Sequence, residues 1–314
     1  MERRQVWKRI KRRKTLYLFL VPAVVAVFIF NYLPMLGIVI AFQDYTVSKG
    51  FLSSPFVGFK HFAAMFDNPD FYDSLKNTLG INVFAILIGF PMPILMALMV
   101  NELKEGRFKK TVQSITYLPH FISWVIIGGI VYRLLDQDTG IVNVIMTSVF
   151  GGEAVAFMRE PHYFWGIAIG SAIWKEIGWN SIIYLAAITA IDQQLYEAAI
   201  VDGAGRLKRI WHITLPGIAP TIIVLFILTT GSIVSVNFSV GGTMTPNFET
   251  LFNLRNAMVS SASDNLDILV YKIGVQYAHY SYASAIGLFQ SVVALVLIIF
   301  SNRMSKKVNG YGLY

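Results

Sequence analysis

Two stretches of this 314-residue chain carry residue types that could do chemistry. The first is Trp174-Lys175-Glu176, followed by Trp179-Asn180-Ser181 and Tyr184, inside an otherwise apolar run. Indole and phenol rings offer flat apolar faces, and an ammonium, a carboxylate and an amide offer hydrogen bonds around them. That mixture suits a ligand with C–H faces and a rim of hydroxyls, which is the chemistry of a sugar ring. Ser235 and Asn237 bring sparser polarity to a later apolar run. A second reading stands beside this one: Lys175 and Glu176 pair structurally and Trp179 packs against another span, because polar groups inside a membrane also tie helices together.

The second stretch, residues 197–220, suits protein docking rather than catalysis. It opens with Glu197-Ala198-Ala199, turns at Asp202-Gly203-Ala204-Gly205, carries Arg206, Lys208 and Arg209, and closes with Leu215-Pro216. Ala and Glu favour helix, and Gly203 supplies the positive φ that ends one. A second short helix from about Arg206 to Thr214 then meets Pro216, where a kink is expected. The result is a helix–turn–helix elbow, with Glu197 placed near a helix start and Pro216 leading directly into the next apolar run.

Neither stretch holds a catalytic constellation. The five His residues are scattered, and no HExxH pattern or carboxylate-backed cluster argues for a metal. There is no G-x-x-x-x-G-K-[ST] for nucleotide phosphates, no G-x-S-x-G, and no Cys to serve as a thiolate. An intramembrane enzyme would need a nucleophile–base or metal pair, and none stands out.

The elements that must hold these residues are membrane spans. The chain is 55% hydrophobic and only 14% charged, with a mean hydropathy of +0.57, too apolar for an ordinary soluble domain. Apolar runs at about 16–42, 77–100, 114–135, 163–190, 216–240 and 282–300 predict an all-α integral membrane protein with six transmembrane helices. The first run is too long for a secretory signal core and lacks a small-residue cleavage site. Residues 1–15 form a basic arm, and residues 16–314 one six-span domain, with the elbow loop at 191–215. The arm, the loop at 101–113, the elbow and the tail hold 18 of the 26 Lys and Arg and six of the 18 acidic residues. All four fall on one side of six spans, which makes that side, and both termini, cytoplasmic. The net charge of +8 therefore reports topology rather than a nucleic-acid partner. Residues 241–276 read as a polar segment with a short surface helix over 264–271. Asn31, Asn82 and Gln290 read as helix-contact residues.

The elbow pattern resembles the EAA signature of the membrane subunits of binding-protein-dependent ABC importers. Val57-Gly58-Phe59-Lys60-His61-Phe62, with Asn77-Thr78, is similar to the outer-loop pattern of their carbohydrate-uptake, maltose-permease-like branch. Tyr117-Leu118-Pro119, the stretch 174–187 and the ending 281–314 look like the members that handle oligosaccharides and polysaccharide fragments. The resemblance implies a coupling helix carrying Glu197, Ala198, Ala199, Asp202, Gly203, Ala204, Arg206, Leu215 and Pro216. It also implies a second homologous permease, two ATPase subunits that hold ATP and Mg, and an extracellular or periplasmic sugar-binding protein. This chain would bear no cofactor and would sit among lipids in the plasma membrane of a prokaryote. The competing readings are a permease for another solute and a stand-alone secondary transporter. The latter would show an internal repeat, and none is evident.

Overall fold

The computed structural model describes residues 14–234, 245–246, 248–310 and 312. Among these residues the chain is all helical, apart from one isolated antiparallel bridge between Gln43 and Phe56. It divides into two compact units: Met1–Asp67 with Ile273–Leu288, and Asn68–Lys272 with Phe289–Tyr314.

In the first unit, α1 (Lys14–Val27) continues through a π turn at Phe28–Tyr32 and a 3-10 stretch at Leu36–Phe42, giving a 29-residue apolar helix. The π turn sits just ahead of Pro34. Proline cannot donate to the carbonyl four residues back, and its ring collides with that carbonyl. A turn widened to an i−5 bond, here from the Leu33 N–H to Phe28 O, moves the carbonyl aside. After α1 the chain folds back through the Gln43–Phe56 bridge into α2 (Lys60–Phe66).

The second unit begins with α3 (Pro69–Gly89), which runs on into α4 (Pro91–Asn101) as one 33-residue apolar helix. It starts at Pro69, earlier than hydropathy indicates, because the Asn68 side chain accepts the Asp70 N–H and caps it. Next come α5 (Arg107–Tyr117) and α6 (Trp124–Leu134). They were expected to form one span; instead they meet at 104° across a 3-10 turn at Leu118–Phe121. Pro119 and the extended Ser123 interrupt the helical ladder there. Then follow α7 (Ile141–Phe150) and the 29-residue α8 (Pro161–Thr189). The elbow consists of α9 (Gln193–Val201) and α10 (Arg206–Arg209). Beyond it lie α11 (Leu215–Gly231), α12 (Phe248–Leu254) and α13 (Leu266–Tyr271). The last helix, α14 (Tyr280–Asn309), begins in the first unit's residues and ends in the second's.

Four helices among the described residues are long and apolar enough to cross a membrane, or five if the bent α5–α6 pair counts as one. α8 is long enough, but its Lys175–Ser181 patch leaves it outside that group.

The core of the second unit is built where α3 and α8 meet the segment 248–272. Ile81, Ala85, Phe164 and Ala168 pack with Leu251 and Leu254. Leu266, Ile268 and Leu269 of α13 are buried, so the expected surface helix at 264–271 is an inner one. Polar side chains hold this irregular segment by its backbone. Asn77 Nδ2 donates to Ser261 O at 2.9 Å and to Asp264 O at 3.0 Å, and the Leu266 N–H donates to Thr78 Oγ1 at 2.9 Å. Asn82 reaches Ile233 O at 2.9 Å and Gln290 reaches Val234 O at 3.0 Å. Buried carbonyls outside a helix need such donors, which explains amides on apolar helices.

Candidate functional site: the elbow and the broken-helix junction

The elbow turns by a Schellman motif. Gly203 has φ +73°, its N–H donates to Ile200 O at 3.0 Å, and the Ala204 N–H donates to Ala199 O at 2.8 Å. The last carbonyls of α9 are thereby satisfied without the rest of the protein, so the bend is encoded locally. Asp192 caps the start of α9 through the Gln194 N–H at 3.0 Å. Glu197 lies in the middle of α9, not near its start, and therefore does not face the positive end of the helix.

The second arm differs from expectation at Pro216. The second short helix does not end at Pro216: α10, a π turn at Ile210–Thr214 and α11 make one continuous 26-residue helix, Arg206–Gly231. The Leu215 N–H bonds Ile210 O, the same widened turn that precedes Pro34. Tyr196 Oη and Thr214 Oγ1 lie 2.9 Å apart and tie α9 to this arm, and the Ile191 side chain packs over Gly217.

Glu197, Ala198, Asp202, Gly203 and Arg206 are exposed, Ala199, Ala204 and Leu215 partly covered, and Pro216 exposed. Val201 is 87% and Leu207 73% exposed on the same elbow. Both side chains stand among the charged residues Asp202, Arg206 and Lys208, which are exposed as well. Behind the elbow is a cavity of about 370 Å³ lined by Glu102, Gln193, Tyr196, Glu197 and Arg209, among others. Arg206 Nε lies 3.7 Å from Glu102 Oε2, which joins the elbow to the loop after α4.

The polar patch on α8 sorts into two groups. Lys175 is buried, and its ammonium donates to His120 O and lies 3.5 Å from Pro119 O. Those carbonyls belong to the turn that breaks α5 from α6. A cation placed where a helix runs out satisfies its free carbonyls and suits its negative end. Glu176 completes the arrangement: Oε1 is 3.6 Å from Lys175 Nζ, and Oε2 is 2.8 Å from His120 Nδ1. The His120 ring stacks on the Trp179 ring at 4.4 Å with 2° between planes, and Phe121 meets Trp179 edge-on at 5.4 Å. Lys175 also stands 5.8 Å from the centre of the Trp124 ring. The structural ion pair foreseen for Lys175 and Glu176 is therefore present. Trp179, 40% exposed, and Phe121, 70% exposed, leave aromatic surface beside the Glu176 and His120 edges.

Two other expected residues lie apart from this junction. Asn180 is buried, and Tyr184 packs in an apolar cluster with Ala97, Leu98, Ile188 and Ile218. Ser235 and Asn237 lie outside the described residues. Sequence reasoning missed His120, Phe121 and Glu102. Pro119 was a partial signal: it lacks the N–H that would bond Ile115 O and so marks a weak point in the helix, but it does not point to His120 and Phe121 themselves.

Comparison with known proteins accounts for this combination. The chain is 42% identical to Protein LplB of Bacillus subtilis (strain 168) over 305 residues, covering 97% of this chain and 92% of that one. It is 43% identical over 313 residues to the polygalacturonan/rhamnogalacturonan transport system permease protein YteP of the same organism, covering 100% and 94%. Among solved structures it is similar to a chain of a bacterial alginate ABC transporter in complex with an alginate pentasaccharide-bound periplasmic protein, at 41% identity and TM-score 0.86, covering 98% of this chain and all of that one. The family described as binding-protein-dependent transport system inner membrane component matches residues 83–310, which include the broken helix, the α8 patch and the elbow, and this chain belongs to that family.

Proposed function

We propose that this chain is one permease subunit of an ATP-driven importer for oligosaccharides in a prokaryotic plasma membrane. Six spans place both termini and the elbow in the cytoplasm, in keeping with the sidedness of Lys and Arg. The elbow seats on an ATPase subunit, one of two that hold ATP and Mg. A second, homologous permease completes the pore, and an external binding protein delivers the sugar. Nucleotide-driven closure of the ATPases moves the elbow, and the spans alternate between outward and inward access. The chain itself performs no chemical step.

The observation that carries this reading is the elbow: an exposed, self-capped bend with solvent-facing Val201 and Leu207, joined without a break to an apolar helix. The sugar assignment follows the relatives, whose names specify polygalacturonan, rhamnogalacturonan and arabinooligosaccharides. The Phe121–Trp179 edge, flanked by Glu176 and His120, suits passage of sugar rings, with Asn180, Ser235 and Asn237 as further candidates along the path.

Reconstitution tests the proposal. The chain, its companion permease and the ATPases in proteoliposomes should import an oligosaccharide only with ATP and the binding protein. Gly203→Pro, which cannot hold φ +73°, should abolish sugar-stimulated ATP hydrolysis while the complex still assembles. Import by this chain alone, or coupled hydrolysis undiminished in Gly203→Pro, would refute it.

A further inference from the structure

A cavity of about 550 Å³ is lined wholly by residues of the first unit. Asp44, Tyr45 and His61 line it from the chain that follows α1, and His279, Tyr280 and Ser281 from the start of α14. We propose that this cavity is a subsite for one or two sugar units of an incoming oligosaccharide, on the outer side of the membrane. The proposal rests on the sugar-import reading and its topology, which put these segments outside.

Three features support it independently of that topology. First, the cavity has a built aromatic wall. The Tyr45 ring meets Phe51 at 5.3 Å and Tyr280 edge-on at 6.1 Å, and the Tyr45 N–H donates to Ser281 Oγ at 2.9 Å, which locks the two segments together. Rigid rings with polar tips present apolar surface and hydrogen bonds at once, as C–H faces ringed by hydroxyls require. Second, the wall adjoins an acceptor kept charged. Asp44 Oδ2 takes the Lys60 ammonium at 2.7 Å, and Oδ1 lies 3.0 Å from His61 Nε2. The Lys60 hydrogen bond, aided by the charges of Lys60 and His61, holds the Asp44 carboxyl below the usual range. Each oxygen has two acceptor sites, so capacity remains for sugar hydroxyls. Because Lys60 offsets its charge, neutral and uronate sugars are both admissible.

Third, the backbone is strained at the lining. Ala278 has φ +58°, the one described non-glycine residue with positive φ, and its turn brings the His279 N–H to Ile273 O at 2.9 Å. Glycine would take this conformation without penalty. Such strain concentrates where a site needs a particular backbone path. The volume lies in the range of small-ligand sites, about 300–1,000 Å³. Its lining is mixed: apolar surface from Tyr45, Tyr280, Ile273 and Ala278 predominates, and Asp44, Thr46, His61 and Ser281 supply polar groups, the two kinds of surface a sugar ring meets.

The test uses the whole transporter in nanodiscs without its binding protein. Diazirine-bearing arabinotriose and trigalacturonate are the probes, with labelled peptides mapped by mass spectrometry. Labelling of peptides containing Tyr45 or Tyr280 is expected with at least one probe. Tyr45→Ala and Tyr280→Ala should each weaken it about fivefold or more, the worth of an aromatic contact. Should an alanine variant fail to assemble, Asp44→Asn, a half-exposed change, should weaken it likewise. Labelling confined to other regions, or wild-type labelling in the assembled variants, overturns the subsite. Uptake driven by the binding protein is measured separately. A wild-type complex that imports sugar but fails the labelling test loses only the subsite; one that imports nothing loses the transport reading.

Discussion

A single methyl group can test how closely α5 and α8 approach. A Cβ built on Gly178 would stand 2.5 Å from the Thr116 carbonyl carbon, with the oxygen nearer still, and 3.0 Å from Tyr117 Cδ1. Ordinary contact begins at 3.4 Å, so the carbonyl carbon alone asks the two helices to part by about 0.9 Å, and the nearer oxygen asks for more. The obstacle is backbone and cannot rotate away. Overpacking of this kind costs about 1–3 kcal/mol, and the gain in helix propensity from Gly to Ala returns about 1 kcal/mol. A backbone obstacle belongs at the upper end of that range, so the net loss is about 1–2 kcal/mol. Gly170 on the same helix is the control: a Cβ there meets nothing within 4 Å of this chain. Gly170→Ala should be neutral or stabilising by up to about 1 kcal/mol. Thermal unfolding of the purified complex, followed by intrinsic tryptophan fluorescence, reads both variants. Gly178→Ala melting at or above the wild type would refute the close approach and the packing account built on it.

Two further outcomes follow from the geometry. Lys175→Met should destabilise the complex by about 2–4 kcal/mol, because it leaves the His120 carbonyl without its donor and Glu176 without the Lys175 cation, while Pro119 O keeps the Ile122 N–H. Adding Glu176→Gln should recover part of that loss, and additive effects in the double-mutant cycle would show the two side chains to be independent. Ala278→Gly should raise stability by about 1 kcal/mol by relieving φ +58°, measured as a higher melting temperature; no change would mean the turn carries no strain.

Much of this architecture could be read from the sequence because bilayers impose simple demands. Long apolar runs marked most of the long helices, and Asp202-Gly203 marked the bend of the elbow, since that turn rests on short-range backbone chemistry. Three features were hidden, each for a definite reason. The break at Leu118–Phe121 lies in a run whose average hydropathy stays high despite Pro119 and His120, so hydropathy did not register it. The burial of α13 depends on Asn77 and Thr78, nearly 190 residues away in the chain, and no local pattern encodes such a contact. Pro216 suggested the end of a short second helix, but a widened turn just ahead of it keeps the helix continuous from Arg206 to Gly231. At the site level, Lys175 and Glu176 were visible as charges in an apolar run. Their partner His120 was not, because its role comes from a helix end that only the fold creates.

The uninterrupted run from Arg206 to Gly231 has a mechanical consequence. Its 26 residues measure about 39 Å from end to end. A continuous helix of that length magnifies: a tilt of about 5° at its Arg206 end would sweep the Gly231 tip by about 3 Å. A break at Pro216 would have absorbed such a movement close to its origin. Because the π turn keeps the backbone helical through that point, a small rocking motion at the charged end would be passed along to the apolar one.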